Sequence, residues 1–102
     1  MVSVLGMTVS SMTDELRAKY SVDGEVKGAI ITGVDPNGAA AAKGLAAGDV
    51  ISEAGEKPVV GAADIKARVE EAEKSGKNAV LLLIAKGGKA SETRFIALKL
   101  KP

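Results

Sequence analysis

Hydrophobic positions change rhythm several times along the chain. From Ser3 to Ser10 the apolar residues Leu5, Met7 and Val9 alternate with small or polar ones, which predicts a loop entering a strand. "TDELRAKY" follows. Thr13 suits a helix N-cap, Asp14 and Glu15 suit the first turn and Lys19 the last, so a short helix is expected. "VDGE" is a turn, and "GAIITGV" (28–34) is β-branched enough for a strand. "DPNG" (35–38) turns again, because Pro36 restricts one backbone angle and Asn37-Gly38 tolerates a left-handed one. "AAAAK" predicts a single helical turn closed by Gly44, with Leu45 as its one large apolar anchor. After the turn "AAGD", the strand "VISEAG" runs to a Gly55-Glu56 turn, and "KPVV" reads as a short extended piece whose Pro58 marks an edge.

The longest regular pattern is "GAADIKARVEEAEKSGK". Ile65, Val69 and Ala72 fall at i, i+4 and i+7, with Ala62 or Arg68 beside them, and Gly76 stops the helix. "NAVLLLIAK" is apolar on both faces, as a central strand would be. Gly87 and Gly88 begin a hairpin loop, and "TRFIALKL" returns as the last strand. Five to six short strands over one long helix, with one or two short helices, predict a small α+β domain, a partly open barrel or sandwich.

Length and composition narrow the function. The 102 residues fit one domain, 1–102, with residues 1–3 read as a linker. One Tyr, one Phe and no Trp mean that the core is aliphatic and so is any pocket it lines. The net charge is +1 with lysines scattered among acids, which argues against nucleic-acid binding. No apolar run has the length of a membrane span, and "MVSVLGMTVSS" lacks the basic start of a signal peptide.

With no His and no Cys, neither a Ser-His-Asp or Cys-His constellation nor a His- or Cys-based metal site can form, so no enzyme, no metal and no cofactor are expected. Carboxylate chemistry at Asp49, Asp64 or Glu70, Glu71 and Glu73 remains formally open. Adjacent helical acids, however, point in different directions, and Asp49 is expected to tie its turn by accepting main-chain N–H bonds.

"GAIITGVDPNGAAAAKGLAAGDVISEAGEKPV", "ADIKARVEEA" and "NAVLLLIAKGGK" together resemble a PDZ domain of the bacterial type, as carried after the protease domain in the HtrA/Do family of periplasmic serine proteases. The most specific piece is "AAAKGLAAGDVI" (40–51), taken with "VLGM" (4–7) before the first strand. The resemblance implies a PDZ fold and a non-catalytic module that binds extended or C-terminal peptides with apolar end residues, adding them as a strand.

In this chain the matching edge is Met7–Ser10 and the matching helix Ala62–Ala72. Val4, Leu5, Gly6 and Met7 correspond to the carboxylate-binding loop. Thr8, Val9 and Ser10 would carry the strand, and Ile65, Arg68, Val69 and Ala72 would border the pocket. Arg68 could favour an acidic ligand residue, though a solvated helix charge is the better expectation. Gly6→Val is expected to abolish carboxylate-dependent binding and leave the fold intact. One buried apolar side chain at roughly 1.5–3 kcal/mol and a few main-chain hydrogen bonds at about 0.5–1.5 kcal/mol each, less the cost of immobilisation, imply dissociation constants on the order of micromolar or weaker. The resemblance further implies the parent's protease domain and a neighbouring PDZ domain as partners, no nucleic acid, no membrane span and a periplasmic location. The alternative is an assembly domain with an occluded groove, which the helix "TDELRAKY" could crowd.

Overall fold

In the computed structural model, which describes residues 1–100, these residues form seven strands, three α-helices and two short 3-10 turns (Lys86–Gly88 and Ala90–Glu92): β1 (Val2–Val4), β2 (Met7–Ser11), α1 (Asp14–Lys19), β3 (Ala29–Val34), α2 (Ala39–Ala42), β4 (Val50–Ala54), β5 (Lys57–Pro58), α3 (Ala62–Lys74), β6 (Ala79–Ala85) and β7 (Thr93–Lys99). Residues 101–102, which close the expected domain, lie outside the described part. The strands make one antiparallel sheet in the order β1-β2-β3-β4-β6-β7, and β5 pairs with β4. This is the expected small α+β fold with one long helix, its strands numbering seven and forming an open sheet.

The alternation along each strand puts neighbouring residues on opposite faces, and the two faces are covered differently. Ala29, Ile31, Ile51, Leu82, Ile84 and Leu98 point into the main core with Ile65, Val69 and Ala72 of α3. Ile30, Val50 and Ala85 face the other way, into a smaller cluster closed by Val22, Val26, Leu16 and Tyr20. The second cluster is where α1 lies. Thr13 Oγ1 caps it by accepting from Leu16 N at 3.1 Å, and Arg17 Nη1 donates to the carbonyls of Asp23 at 2.6 Å and Val26 at 3.0 Å. The helix therefore packs on the sheet face opposite α3 and does not crowd the space between β2 and α3 in the way the alternative reading allowed.

The expectation for the strand over 78–86 is corrected. The strand β6 is not covered on both faces: Leu81 is 39% exposed, and Phe95, the partner of Leu83 across the pairing, is 61% exposed. The cover supplied by α1 reaches only the Val50–Ala85 end. Within residues 1–3, Val2 and Ser3 belong to β1.

The small-residue stretch 38–51 acts as scaffold. Gly38 N-caps α2, Ala40 is fully buried, Leu45 is plugged into the main core and Lys43 closes the helical turn. Asp49, 1% exposed, accepts from Ala46 N at 3.0 Å as expected, and additionally from Gly87 N at 2.7 Å and Lys86 Nζ at 2.7 Å. Lys86 Nζ also reaches the Gly44 carbonyl at 2.7 Å. One carboxylate thus joins the α2–β4 turn to the β6–β7 connection, a link between segments far apart in sequence. No helix among the described residues is long and apolar enough to cross a membrane.

Candidate functional site

The helix α3 forms because its apolar residues repeat at helical spacing, burying Ala62, Ile65, Val69 and Ala72 along one side. Its N-terminus lacks a capping side chain at Gly61. Asp64 compensates by reaching back, its Oδ2 accepting from Val60 N at 2.8 Å and Gly61 N at 3.1 Å. Those two bonds, and secondarily the Arg68 charge, hold the Asp64 carboxyl below its ordinary pKa against a smaller opposing effect of desolvation. Ser11 Oγ, at the end of β2, accepts from Ala62 N at 3.0 Å and fastens that end of the strand to the start of the helix.

Opposite α3 stand the inward side chains of β2. Met7 and Val9 are buried with Ile65, Val69 and Ala72 in one cluster, whereas Thr8 and Ser10 alternate to the other side. The fold therefore unites Met7 and Val9 of the expected edge with Ile65, Val69 and Ala72 of the expected pocket border. Arg68 is not a freely solvated charge. Its Nη1 donates to Glu71 Oε1 at 2.6 Å, its side chain is only 21% exposed, and its Nε is buried without a partner among the described residues. The Glu71 carboxyl is correspondingly held below its ordinary pKa, chiefly by this hydrogen bond.

The edge of β2 that faces α3 is not free. The segment β1 lies along it, antiparallel, in the register Val2↔Val9, Ser3↔Thr8 and Val4↔Met7. It packs against α3, and the half-buried Val2 and Val4 side chains enter the cluster that contains Ile65 and Val69. The turn joining the two strands is Leu5-Gly6, with φ of 52° and 76°. Two successive left-handed residues make the hairpin turn whose twist matches the flanking strands. The turn is anchored from below: the Leu5 carbonyl accepts from Ala40 N at 3.2 Å and the Gly6 carbonyl from Asp35 N at 2.8 Å.

Gly6 is also pressed on Gly38, since a Cβ added at Gly6 would meet the Gly38 Cα at 2.9 Å. The expectation that Gly6→Val spares the fold is therefore wrong. The presence of β1 was missed, although its signal is in the sequence: apolar residues at 2, 4, 7 and 9 flank a two-residue turn ending in Gly. Leu at the first turn position obscured it, because Asn, Asp or Gly is preferred there.

A helix facing a strand edge across an apolar seam, with a glycine turn at one end, sits on an open antiparallel sheet whose α2 and Asp49 turn occupy fixed places. The sequence model of the PDZ domain family matches residues 2–85. The chain is a PDZ domain. It is 42% identical over 72 residues to a protein of Brucella suis biovar 1 (strain 1330) described as "Probable periplasmic serine endoprotease DegP-like", covering 71% of this chain and 14% of that protein. A protein of the same description from Chlamydia pneumoniae is 30% identical over 95 residues, covering 93% of this chain and 18% of the other. This PDZ domain thus spans less than a fifth of those relatives. Among solved structures it is similar to the HtrA3 PDZ domain bound to a phage-derived ligand (FGRWV), with a TM-score of 0.64 at 21% identity, covering 94% of this chain and 80% of that one.

Proposed function

We propose that this PDZ domain is the non-catalytic peptide-binding module of an HtrA/Do-type serine protease of the periplasm. It takes extended or C-terminal apolar segments by strand addition along Met7–Ser10, opposite Ala62–Ala72, and serves substrate recognition or regulation. The observation that carries this reading is that the space between β2 and α3 accommodates an antiparallel strand with inward apolar side chains, since β1 already lies there in that manner. The DegP-like relatives and the peptide-bound HtrA3 domain support it.

In such a complex Ile65, Val69 and Ala72 would receive the ligand's apolar side chains. Met7, Val9 and the turn Val4–Met7 would offer main-chain groups, and the buried Arg68 Nε would be available to a ligand oxygen. Nothing in this role calls for catalysis by the domain itself. Its partners in the parent would be the protease domain and a neighbouring PDZ domain.

Amide-resolved NMR titration with peptides ending in Val or Leu tests the proposal. Saturable shifts centred on β2 and α3, at micromolar to millimolar peptide, are expected. Shifts confined to another face, or none at millimolar peptide, would end the strand-addition reading. A second reading, an assembly domain, is favoured by the same β1, which leaves no open furrow. Peptide silence together with concentration-dependent self-association in sedimentation would select it.

A further inference from the structure

We propose that β1 is a resident ligand: Val2–Val4 holds the place that an incoming peptide takes, so that binding is an exchange of one strand for another. This rests on the peptide-binding reading above and adds to it a gate and a ligand pattern. Three observations converge on it. First, β1 runs antiparallel to β2 and points towards the Leu5–Met7 turn, the direction in which a captured C-terminus would run. Second, Val2 and Val4 face the core beside Val9 and Met7, while Ser3 points outwards opposite Thr8. The seam between β2 and α3 is therefore filled by two valine-sized groups two residues apart. Third, the tether is only two residues, Leu5-Gly6, and Leu5 is held at a φ of 52° that a branched side chain adopts reluctantly.

Each observation has a consequence. A strand tethered by two residues competes at high local concentration, so the intact chain resists free peptides. The resident is nevertheless only three residues long, and its valines are half-buried. A longer extended segment can offer more pairing along the same edge and displace it. In a two-residue hairpin the closing pair, here Val4 and Met7, exchanges its main-chain bonds. The Met7 N–H therefore becomes available to a ligand carboxylate only when β1 leaves. Release also frees Leu5 from its left-handed conformation. The ligand class follows from what β1 places inside: an extended segment with Val-sized, β-branched residues at alternate positions and a polar residue between them, its C-terminus directed at the turn.

The experiment uses a fluorescently labelled octapeptide ending in Val-Ser-Val with a free carboxylate, read by fluorescence anisotropy. It is titrated into the unaltered chain, into the chain lacking residues 1–3, and into the double variant Ser3→Cys/Thr8→Cys. The chain has no native cysteine. Ser3 and Thr8 form the outward, non-hydrogen-bonded pair of the hairpin, whose Cα separation of about 4.5 Å suits a disulfide. The shortened chain should bind at least tenfold more tightly than the unaltered one. The oxidised variant should bind at least tenfold more weakly than the same protein after reduction. Equal, measurable affinities for oxidised and reduced forms would overturn the resident-strand proposal while leaving peptide binding intact. Absence of binding by the shortened and the reduced proteins alike would overturn both. If the shortened chain fails to fold, the oxidised and reduced forms of one polypeptide decide the question.

Discussion

Asp49→Ala should destabilise this fold strongly, although the side chain touches no part of the groove. The carboxylate is 1% exposed and accepts from two main-chain donors, Ala46 N at 3.0 Å and Gly87 N at 2.7 Å, and from Lys86 Nζ at 2.7 Å. Alanine leaves both backbone N–H groups without this acceptor, at about 1–3 kcal/mol for each one that stays buried. The ammonium group costs less than a fully buried charge would, because the Lys86 side chain is 33% exposed and keeps the Gly44 carbonyl as a partner.

The expected loss is therefore about 3–4 kcal/mol, near the lower end of the range for breaking a buried pair by removing one partner. For a domain of this size that corresponds to a fall in Tm of more than about 10 °C. Equilibrium urea unfolding followed by far-UV circular dichroism measures it. Lys86→Met serves as the comparison: it leaves the two backbone bonds to Asp49 in place but takes the cation away from a buried carboxylate, and should cost about 2–3 kcal/mol. A loss below about 1 kcal/mol for Asp49→Ala would refute the account of this carboxylate as the tie between the two loops.

Gly6→Val should lower stability by at least about 2 kcal/mol, because it forces a β-branched residue to a φ of 76° and drives its Cβ into the Gly38 backbone; a thermal melt unchanged from that of the unaltered chain would contradict the contact. Glu56 is exposed at a φ of 66° in the β4–β5 turn, so Glu56→Gly should stabilise by about 0.5–1 kcal/mol, and a destabilised variant in urea unfolding would reject the strain argument. The pH dependence has a definite sign. Asp64 has a folded pKa below its unfolded one, so its contribution is full above about pH 4, near the unfolded carboxylate value, and is lost as pH falls through the folded value. Glu71 acts in the same direction, so the diagnostic is a difference: the stability of Asp64→Asn should fall less steeply with acid than that of the unaltered chain, and parallel curves would count against the cap.

Local pattern made most elements legible. Helical spacing of Ile65, Val69 and Ala72, the Gly55-Glu56 turn and the Gly44 stop all depend on residues within a turn or two of one another, and each element lies where those rules put it. The PDZ resemblance, likewise, was carried by contiguous stretches. The state of the groove was not legible in this way. The alternation about Leu5-Gly6 permits a hairpin, but what fastens Val2–Val4 along Met7–Val9 is an apolar seam supplied by α3, some sixty residues later in the chain. Val2 and Val4 are attractive partners only once Ile65 and Val69 stand opposite them.

The sequence by itself determined most element types, the aliphatic core and the absence of histidine and cysteine chemistry, since these follow from residue identity and short-range spacing. The tertiary structure alone decided that α1 covers the far face, that Asp49 reaches Lys86 and Gly87, and that the strand edge opposite α3 is occupied from within. Those outcomes arise from contacts between segments distant along the chain. Their free energy exists only after the sheet has brought the segments together.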